Sequence, residues 1–279
     1  MILVTGATGR IGGRVVRELT AAGAAVRALT RRPGDVRLPG GAVAVRGDLR
    51  VAESVAPAFE GVEVAHLCPV PGWPVADLLA YARKAGVRRI VLLSSASLPG
   101  GPGLIERQHR ANEDAVRASG MPWTFVRPTA FMANDLSWAS TIRAEGTVYD
   151  AFPDASLAPV DEHDVAAVAA AALLDDDRAG HTYELSGPEP LTTVDRVAIL
   201  GEVLGRPLRL TVPSPQEFRT TLAAAHPPAV ADAMIDVLAA ATGTTAPILP
   251  GIQQVTGRPP GGYAEWAARH SGHFRRKDA

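Results

Sequence analysis

The chain has 279 residues, of which 47% are hydrophobic and 20% are charged, and its net charge at pH 7 is -1. This length supports one large α/β unit, alone or with a smaller appendage, and the near-neutral charge argues against a nucleic-acid partner. The one cysteine excludes an internal disulfide and a cysteine metal cluster. We expect a cytoplasmic protein without a signal peptide or a membrane span.

Short β-branched runs alternate with longer helical patterns through the first half of the chain. Strands are predicted at residues 2–5, 25–30, 42–46, 62–67, 89–94 and 123–127. Helices are predicted at residues 11–22, 51–59, 75–85 and 106–119. Because such alternation builds right-handed crossovers, the sequence predicts an α/β protein with a Rossmann-type, doubly wound parallel sheet.

The pattern loosens after Pro128. Helices are predicted at residues 163–174, 193–204 and 229–241, strands at 182–185 and 208–212, and loops at 247–251 and 258–262. We therefore expect a Rossmann domain over residues 1–135, to which residues 157–187 return. Residues 188–279 are expected to form a smaller, mostly helical part that covers a substrate cleft at the carboxyl edge of the sheet.

A glycine-rich turn follows the first predicted strand, with Gly6, Gly9 and Gly12 in G-x-x-G-x-x-G spacing. Gly6 permits a tight turn, Gly9 allows close backbone approach to a pyrophosphate, and Gly12 lets the helix pack on the strand. The helix amino terminus supplies free N–H groups for phosphates. Thr8 is either the N-cap of that helix or a phosphate ligand. Because the motif lies between a strand and a helix, it predicts dinucleotide binding.

The end of the second predicted strand indicates which dinucleotide is preferred. NAD-binding proteins usually place an acidic residue there to hold the ribose hydroxyl, but this chain has Arg31 and Arg32. Two guanidiniums suit a 2′-phosphate, so NADP(H) is favoured over NAD(H); the alternative is that both arginines are ordinary surface residues. Asp48, after the third predicted strand, either accepts a hydrogen bond from adenine or caps the next helix.

Residues near the other strand ends complete the predicted cofactor surface. Cys68 is expected to pack against its surroundings rather than to act as a reactive thiol. The remaining predicted cofactor-binding residues are Arg10, Ile11, Leu49, Leu67, Ser94 and Pro128.

With these motifs in place, the whole chain resembles the NmrA-like, atypical branch of the short-chain dehydrogenase/reductase superfamily. That branch includes NAD(P)H-binding quinone reductases and non-catalytic redox sensors. The stretches that carry the resemblance are residues 4–12, 30–33, 47–49, 126–134, 160–166 and 183–189. The resemblance implies a Rossmann fold and a nicotinamide cofactor, and it leaves the substrate open.

The resemblance also reveals a departure at the catalytic position. Typical superfamily members carry Tyr-x-x-x-Lys on the helix after the fifth strand, and here Ile105 and His109 stand at those places. The resemblance therefore implies that His109 holds the nicotinamide ribose or donates a proton. The alternative is a half-exposed helix histidine. Glu113, one turn further on, is expected to orient His109.

Other candidates lie around the expected cleft. The resemblance places a substrate-binding hydroxyl among Ser94, Ser95 and Ser97, one of which we expect to point into the cleft. Tyr149 is a candidate replacement for the missing acid. Three aromatic residues either wall an apolar pocket or pack in the core, namely Phe131, Trp138 and Phe152.

Two polar clusters receive a structural interpretation. His270 and His273 lack a third ligand at a credible spacing, so no metal site is predicted. Asp161, His163 and Asp164 open an apolar helix, where an aspartate acts most simply as an N-cap.

Three functions agree with this sequence. The first is an NADPH-dependent reductase that passes hydride to a quinone, enone, ketone or imine. The second is a non-catalytic NADP(H) redox sensor, which the missing tyrosine favours. The third is an enzyme that uses the fold for a step without redox chemistry. A small-molecule substrate is the expected partner of an enzyme, and a homodimer is left open.

Overall fold

The computed structural model describes residues 1–70, 72–96 and 103–275. Within these ranges, seven parallel strands form one sheet in the order β3-β2-β1-β4-β5-β6-β8. Its strands are β1 (Ile2–Val4), β2 (Val26–Thr30), β3 (Ala42–Arg46), β4 (Val64–Leu67), β5 (Arg89–Leu93), β6 (Trp123–Pro128) and β8 (Thr182–Leu185). A second, two-stranded parallel sheet pairs β7 (Thr147–Tyr149) with β9 (Arg209–Thr211).

The helices of the first half alternate with the strands, and most of those in the second half lie in the covering part. In chain order they are α1 (Gly12–Ala21), α2 (Ala52–Val55), α3 (Val75–Lys84), α4 (Leu104–Ala118), α5 (Ala139–Glu145), α6 (Glu162–Leu174), α7 (Thr193–Leu204), α8 (Pro215–Ala225), α9 (Pro228–Ala241), α10 (Gly251–Thr256) and α11 (Tyr263–His270). Among the described residues, no helix has both the length and the apolar character needed to cross a membrane.

The sheet is buried on both faces, which explains why its central strands are continuous apolar runs. One face packs under α1 and α6, where Val4, Val91 and Val126 belong to the same apolar cluster as Val165. The opposite face packs against the α2–α4 side through residues such as Leu92. The predicted doubly wound Rossmann sheet is therefore confirmed.

The covering part shares one apolar core with α5 and the segment after β6, to which it contributes residues of α7 and α11. Its mostly helical character is confirmed, but five elements of the chain after β6 were not predicted: α5, β7, α8, α10 and α11. α8 illustrates the reason, because Phe218 is its one buried residue and it therefore lacks an apolar stripe. The domain bounds proposed from the sequence stay a prediction.

One predicted helix is divided into two short helical turns. The segment at residues 51–59 contains the single α-helical turn α2, followed by a 3-10 turn, Ala56–Phe59. Pro57 has no amide proton to donate to a carbonyl one turn earlier, so it interrupts the α-helical hydrogen bonds.

The parallel arrangement places the carboxyl ends of all seven strands along one edge. The glycine-rich turn follows β1, the arginine pair follows β2, and Asp48 follows β3. Cys68 comes directly after β4, and Ser94 directly after β5. The fold thereby collects most of the predicted cofactor residues at one edge, where ligands of doubly wound sheets bind.

Candidate functional site

The glycine-rich turn between β1 and α1 is closed tightly on itself. Gly6 has a φ of +62°, and its carbonyl oxygen accepts a 2.8 Å hydrogen bond from the amide of Gly9. A Cβ placed on Gly12 would lie 2.2 Å from that same oxygen, closer than real side chains come. The glycines therefore let α1 begin directly against the end of β1.

The amino terminus of α1 presents backbone donors without acceptors. The amide N–H groups of Arg10, Ile11 and Gly12 make no hydrogen bond within the described ranges, and the N-cap residue is Ile11, which has no capping side-chain bond. The N-cap prediction for Thr8 is therefore wrong, and Thr8 lies exposed before the helix. Free amides at the positive end of a helix suit a phosphate, so the turn fits the pyrophosphate of a dinucleotide.

The ends of β2 and β3 lie side by side, because Thr30 pairs with Arg46 in the parallel register. Arg31 and Arg32 follow Thr30 with exposed side chains. In the part of the chain that the structure describes, neither guanidinium makes a hydrogen bond or a salt bridge. Both are thus available to an anion approaching this edge.

Asp48 lies at the same edge and is paired with Arg50. The Arg50 side chain donates from Nε to Oδ1 at 3.1 Å and from Nη2 to Oδ2 at 2.7 Å, and the Arg50 amide donates to Oδ1 at 3.0 Å. These bonds lower the pKa of Asp48 to about 2, and the charge of Arg31 contributes less. Asp48 is not the cap of α2, whose N-cap is Val51, so that alternative is wrong. The adenine hydrogen bond stays a prediction.

Cys68 lies directly beneath the glycine-rich turn. Its amide donates a 2.8 Å hydrogen bond to the hydroxyl of Thr5, and a Cβ on Gly6 would lie 3.1 Å from its Cβ. Burial raises the pKa of the Cys68 thiol to about 11. The thiol stays protonated at neutral pH, which agrees with a packing role. Leu49, Leu67 and Pro128 are buried at neighbouring strand ends.

His66 precedes this position in β4 and was not singled out from the sequence. Its side chain is fully buried, and neither ring nitrogen makes a hydrogen bond within the described ranges. Burial lowers the pKa of His66 to about 4, against a smaller opposing effect of the Thr5 backbone. The imidazole is therefore neutral at physiological pH and enclosed in the sheet core.

Glu113 anchors α4 to the sheet. Its two carboxylate oxygens accept hydrogen bonds from Arg127 at 2.8 and 2.7 Å, from the Ser94 hydroxyl at 2.6 Å and from Arg117 at 2.9 Å. Burial by itself would raise the pKa of Glu113, but the bonds from Arg127 and Ser94 outweigh it and leave the pKa lowered. Glu113 is thus a permanently charged anchor between α4, β5 and β6.

The expectation that Glu113 orients His109 is therefore wrong, because its carboxylate oxygens accept their hydrogen bonds from Ser94 and two arginines. His109 itself is half-buried, and its Nδ1 is buried without a partner within the described ranges. Burial lowers the pKa of His109, although the charges of Glu113 and Glu106 oppose the change. A buried ring nitrogen without a protein partner suits a bond to a bound molecule or to water.

The hydroxyl candidates are separated by the structure. Ser94 is buried and donates to Glu113, so its proton is not available to the cleft. Ser95 is half-buried at the end of β5, and Ser97 lies outside the described residues. Tyr149 is exposed on β7 in the small sheet, where desolvation and the charge of Glu145 raise the pKa of its hydroxyl.

The segment after β6 is attached to the glycine-rich turn. It forms a 3-10 helix, Met132–Trp138. The Arg10 side chain donates to the carbonyl of Ala133 at 3.1 Å, and the amide of Ala133 donates to Glu162 at 2.7 Å. α6 begins at Glu162, and the Asp161 side chain accepts the amide of His163 at 3.0 Å. The prediction that Asp161 is an N-cap is confirmed.

A buried polar network, missed in the sequence, holds the covering part together. Nη1 of Arg196 donates hydrogen bonds to both carboxylate oxygens of Asp135, at 2.6 and 2.9 Å. The hydroxyl of Tyr263 donates to the same carboxylate at 2.6 Å. Thr193 links Arg196 to Asp150. These residues lie up to 128 positions apart in the chain, so no local spacing could have paired them.

The three aromatic candidates lie in different surroundings. Phe131 packs against the apolar cluster beneath α1 and α6. Trp138 lies under the guanidinium of Arg196, 5.0 Å from its ring centre, and Phe152 meets Phe218 edge to face at 6.1 Å. The helix that carries Phe218, α8, packs against α9, and α9 packs in turn against α4, the helix that carries His109. The covering part therefore reaches over the carboxyl edge of the sheet.

Comparison with known proteins agrees with this geometry. A family model described as NAD(P)H-binding matches residues 6–176, which include the glycine-rich turn, α4 and β6. The chain belongs to this NAD(P)H-binding family. Within it, the fold and the relatives place the chain in the NmrA-like, atypical branch of the short-chain dehydrogenases/reductases.

Three similar proteins are named as reductases. A (4-alkanoyl-5-oxo-2,5-dihydrofuran-3-yl)methyl phosphate reductase of Streptomyces griseus is 42% identical over 98% of this chain and 99% of its own. An NAD(P)H azoreductase of Xenophilus azovorans is 34% identical over 98% and 99%. The structure of an NADPH-dependent quinone oxidoreductase of Escherichia coli is 26% identical, with a TM-score of 0.82 over 96% and 99%. These similarities support the general conclusion that this chain is an NAD(P)H-dependent oxidoreductase.

Proposed function

We propose that this protein is an NADPH-dependent reductase of small, conjugated, electron-poor molecules, such as enones and quinones. When bound, the cofactor supplies a hydride from its nicotinamide. The protein's own residues position the acceptor, exclude water and supply whatever proton the product needs.

The observation that carries this proposal is that three ionisable side chains at the carboxyl edge, those of Glu113, Cys68 and His109, are not poised to donate a proton at pH 7. Glu113 is a carboxylate fully used by Ser94 and two arginines. Burial raises the pKa of Cys68 to about 11 and lowers the pKa of His109, so that His109 is a neutral imidazole at pH 7. Such a site stabilises a localised alkoxide poorly. It suits an acceptor whose conjugation spreads the incoming charge, so that a weak donor or water completes the reaction.

The named relatives agree with a conjugated acceptor. The dihydrofuran phosphate for which the Streptomyces reductase is named has a ring double bond conjugated with carbonyl groups. The other two proteins are named for azo compounds and for quinones. We infer the same acceptor class for this chain, with the enone of a 2-acyl butenolide as the first compound to test because of the 42% identity.

The geometry supports an assignment of residue roles. We assign the 2′-phosphate of NADP(H) to Arg31 and Arg32, and the pyrophosphate to the free amides of Arg10, Ile11 and Gly12. His109 is the candidate that holds the nicotinamide ribose, since its Nδ1 is buried without a protein partner in the described ranges. Ser95 and Tyr149 stay candidate proton donors, to be compared with His109 in single variants.

The test is NADPH consumption against a panel of acceptors. The panel holds a 2-acyl butenolide with and without a phosphomethyl group, a benzoquinone, an azo dye, a saturated ketone and an imine, with NADH run in parallel. We expect turnover of conjugated acceptors with NADPH and little turnover of the saturated ketone. His109→Ala should reduce kcat/KM by about tenfold to a hundredfold, whereas exchange of its exposed neighbour, Gln108→Ala, should leave it unchanged.

Two outcomes contradict the proposal. Preferred reduction of the saturated ketone would show that the site does supply a strong acid. Tight NADPH binding without turnover of any acceptor would favour the redox-sensor function, and a partner that binds one redox form would then be sought.

A further inference from the structure

Three arginines and one aspartate follow the neighbouring ends of β2 and β3. Arg31 and Arg32 are exposed and unpaired within the described ranges, whereas Arg50 is bound to Asp48 through two side-chain hydrogen bonds. Asp48 is close enough to Arg31 for the charge of Arg31 to lower its pKa. A negative charge therefore lies near the guanidinium of Arg31, one of the two assigned to the 2′-phosphate.

An unmasked carboxylate at this place would favour the wrong cofactor. A carboxylate near the adenosine ribose accepts bonds from its hydroxyls and repels a 2′-phosphate, which is how NAD-preferring proteins discriminate. It would also compete with the phosphate for Arg31. The ion pair with Arg50 neutralises this charge, because both carboxylate oxygens of Asp48 accept hydrogen bonds from the Arg50 guanidinium.

We propose that Arg50 is a cofactor-specificity residue, which acts by masking the carboxylate of Asp48 so that Arg31 and Arg32 can hold a 2′-phosphate. The inference rests on the proposed NADP(H) preference and deepens it. It assigns Arg50 an indirect role, distinct from direct contact with the phosphate.

The backbone makes this role testable. The Arg50 amide also donates to Asp48 Oδ1, at 3.0 Å, so Arg50→Ala removes the guanidinium and keeps the bond that orients the carboxylate. The variant thus exposes the charge of the Asp48 carboxylate while the local backbone conformation at residues 48–50 is kept. Since Arg50 is exposed, its removal leaves no cavity in the core.

The experiment is fluorescence titration of NADPH and NADH, which measures Kd without any turnover. It compares the wild type with Arg50→Ala, Asp48→Asn and the double variant, and Arg83→Ala on α3 controls for the loss of one exposed positive charge. The readout is the ratio of the two Kd values, because an adenine contact of Asp48 affects both cofactors equally and cancels. We expect Arg50→Ala to reduce the preference for NADPH by about tenfold, and Asp48→Asn to restore it in the double variant.

Three results overturn the inference. An unchanged ratio in Arg50→Ala means that the pairing with Asp48 does not influence specificity. An equal loss in Arg50→Ala and in the double variant means that Arg50 contacts the phosphate directly. A wild type without preference for NADPH refutes the proposed cofactor itself, and the role of Arg50 falls with it.

Discussion

The two ends of the candidate site are built in different ways. The phosphate end, residues 6–12, 31–32 and 48–50, consists of backbone amides and exposed side chains within a few positions of a strand end. The acceptor end is formed by Ser94, His109, Glu113, Arg127 and the 3-10 helix Met132–Trp138. It consists of buried and half-buried side chains, several of which are joined by hydrogen bonds between residues far apart in the chain. A site made from local backbone geometry can be recognised as a motif, whereas one made from paired side chains cannot.

The two ends should also fail differently. Substitutions at the phosphate end should mainly weaken cofactor binding, because the chain there makes few polar contacts with residues far away in the sequence. Damage at the acceptor end should act first on stability, because its charges are already paired inside the protein.

The largest expected effect is at the acceptor end, in Arg196→Met. This change leaves the carboxylate of Asp135 buried with Tyr263 and without its cation, which should lower the free energy of unfolding by about 3–5 kcal/mol. Urea denaturation measures it. The matched control is Arg219→Met, which breaks an exposed ion pair with Asp232 and should change stability by less than about 1 kcal/mol. Equal effects of the two variants would show that burial of the pair is unimportant.

The next effect is at the phosphate end, in Gly12→Ala. The new Cβ would lie 2.2 Å from a backbone oxygen of Gly6, so α1 must shift away from the turn. We expect a loss of stability of about 3 kcal/mol and a still clearer loss of NADPH affinity in a binding titration. Gly34→Ala is the control, since a Cβ there meets nothing within 4 Å. Undiminished NADPH binding by Gly12→Ala would disprove the assigned role of the turn.

A smaller, pH-dependent effect comes from His66, which lies in the sheet beneath both ends. Its pKa is about 4 in the folded protein against an ordinary 6.5. Between these values the unfolded chain binds a proton that the folded chain does not, so stability falls as the pH drops from about 6.5 towards 4. At pH 5 the loss should be about 2 kcal/mol relative to pH 7.

The substitution His66→Leu should remove this part of the acid sensitivity in urea titrations at pH 7 and pH 5. The exposed His226→Leu should leave it in place. The same pH dependence in wild type and His66→Leu would show that other groups cause the loss.

The sequence by itself determined the parallel sheet and the glycine-rich turn that follows its first strand. Glycine spacing, β-branched runs and helix-ending glycines are local patterns, and local patterns of this kind dictate backbone conformation. They predicted the doubly wound sheet, the approximate bounds of β1 to β6, and the cap at Asp161. They failed locally at Thr8, because the N-cap of α1 is Ile11, and they did not show that Pro57 divides the helical segment at residues 51–59.

Only the tertiary structure decided which side chains meet. It paired Glu113 with Ser94 and Arg127 instead of His109. It also joined Asp135 to Arg196 across 61 positions of the chain. The physical reason is that a buried charge must find a partner wherever the packed fold supplies one, and this choice depends on distances in space that no spacing in the sequence encodes.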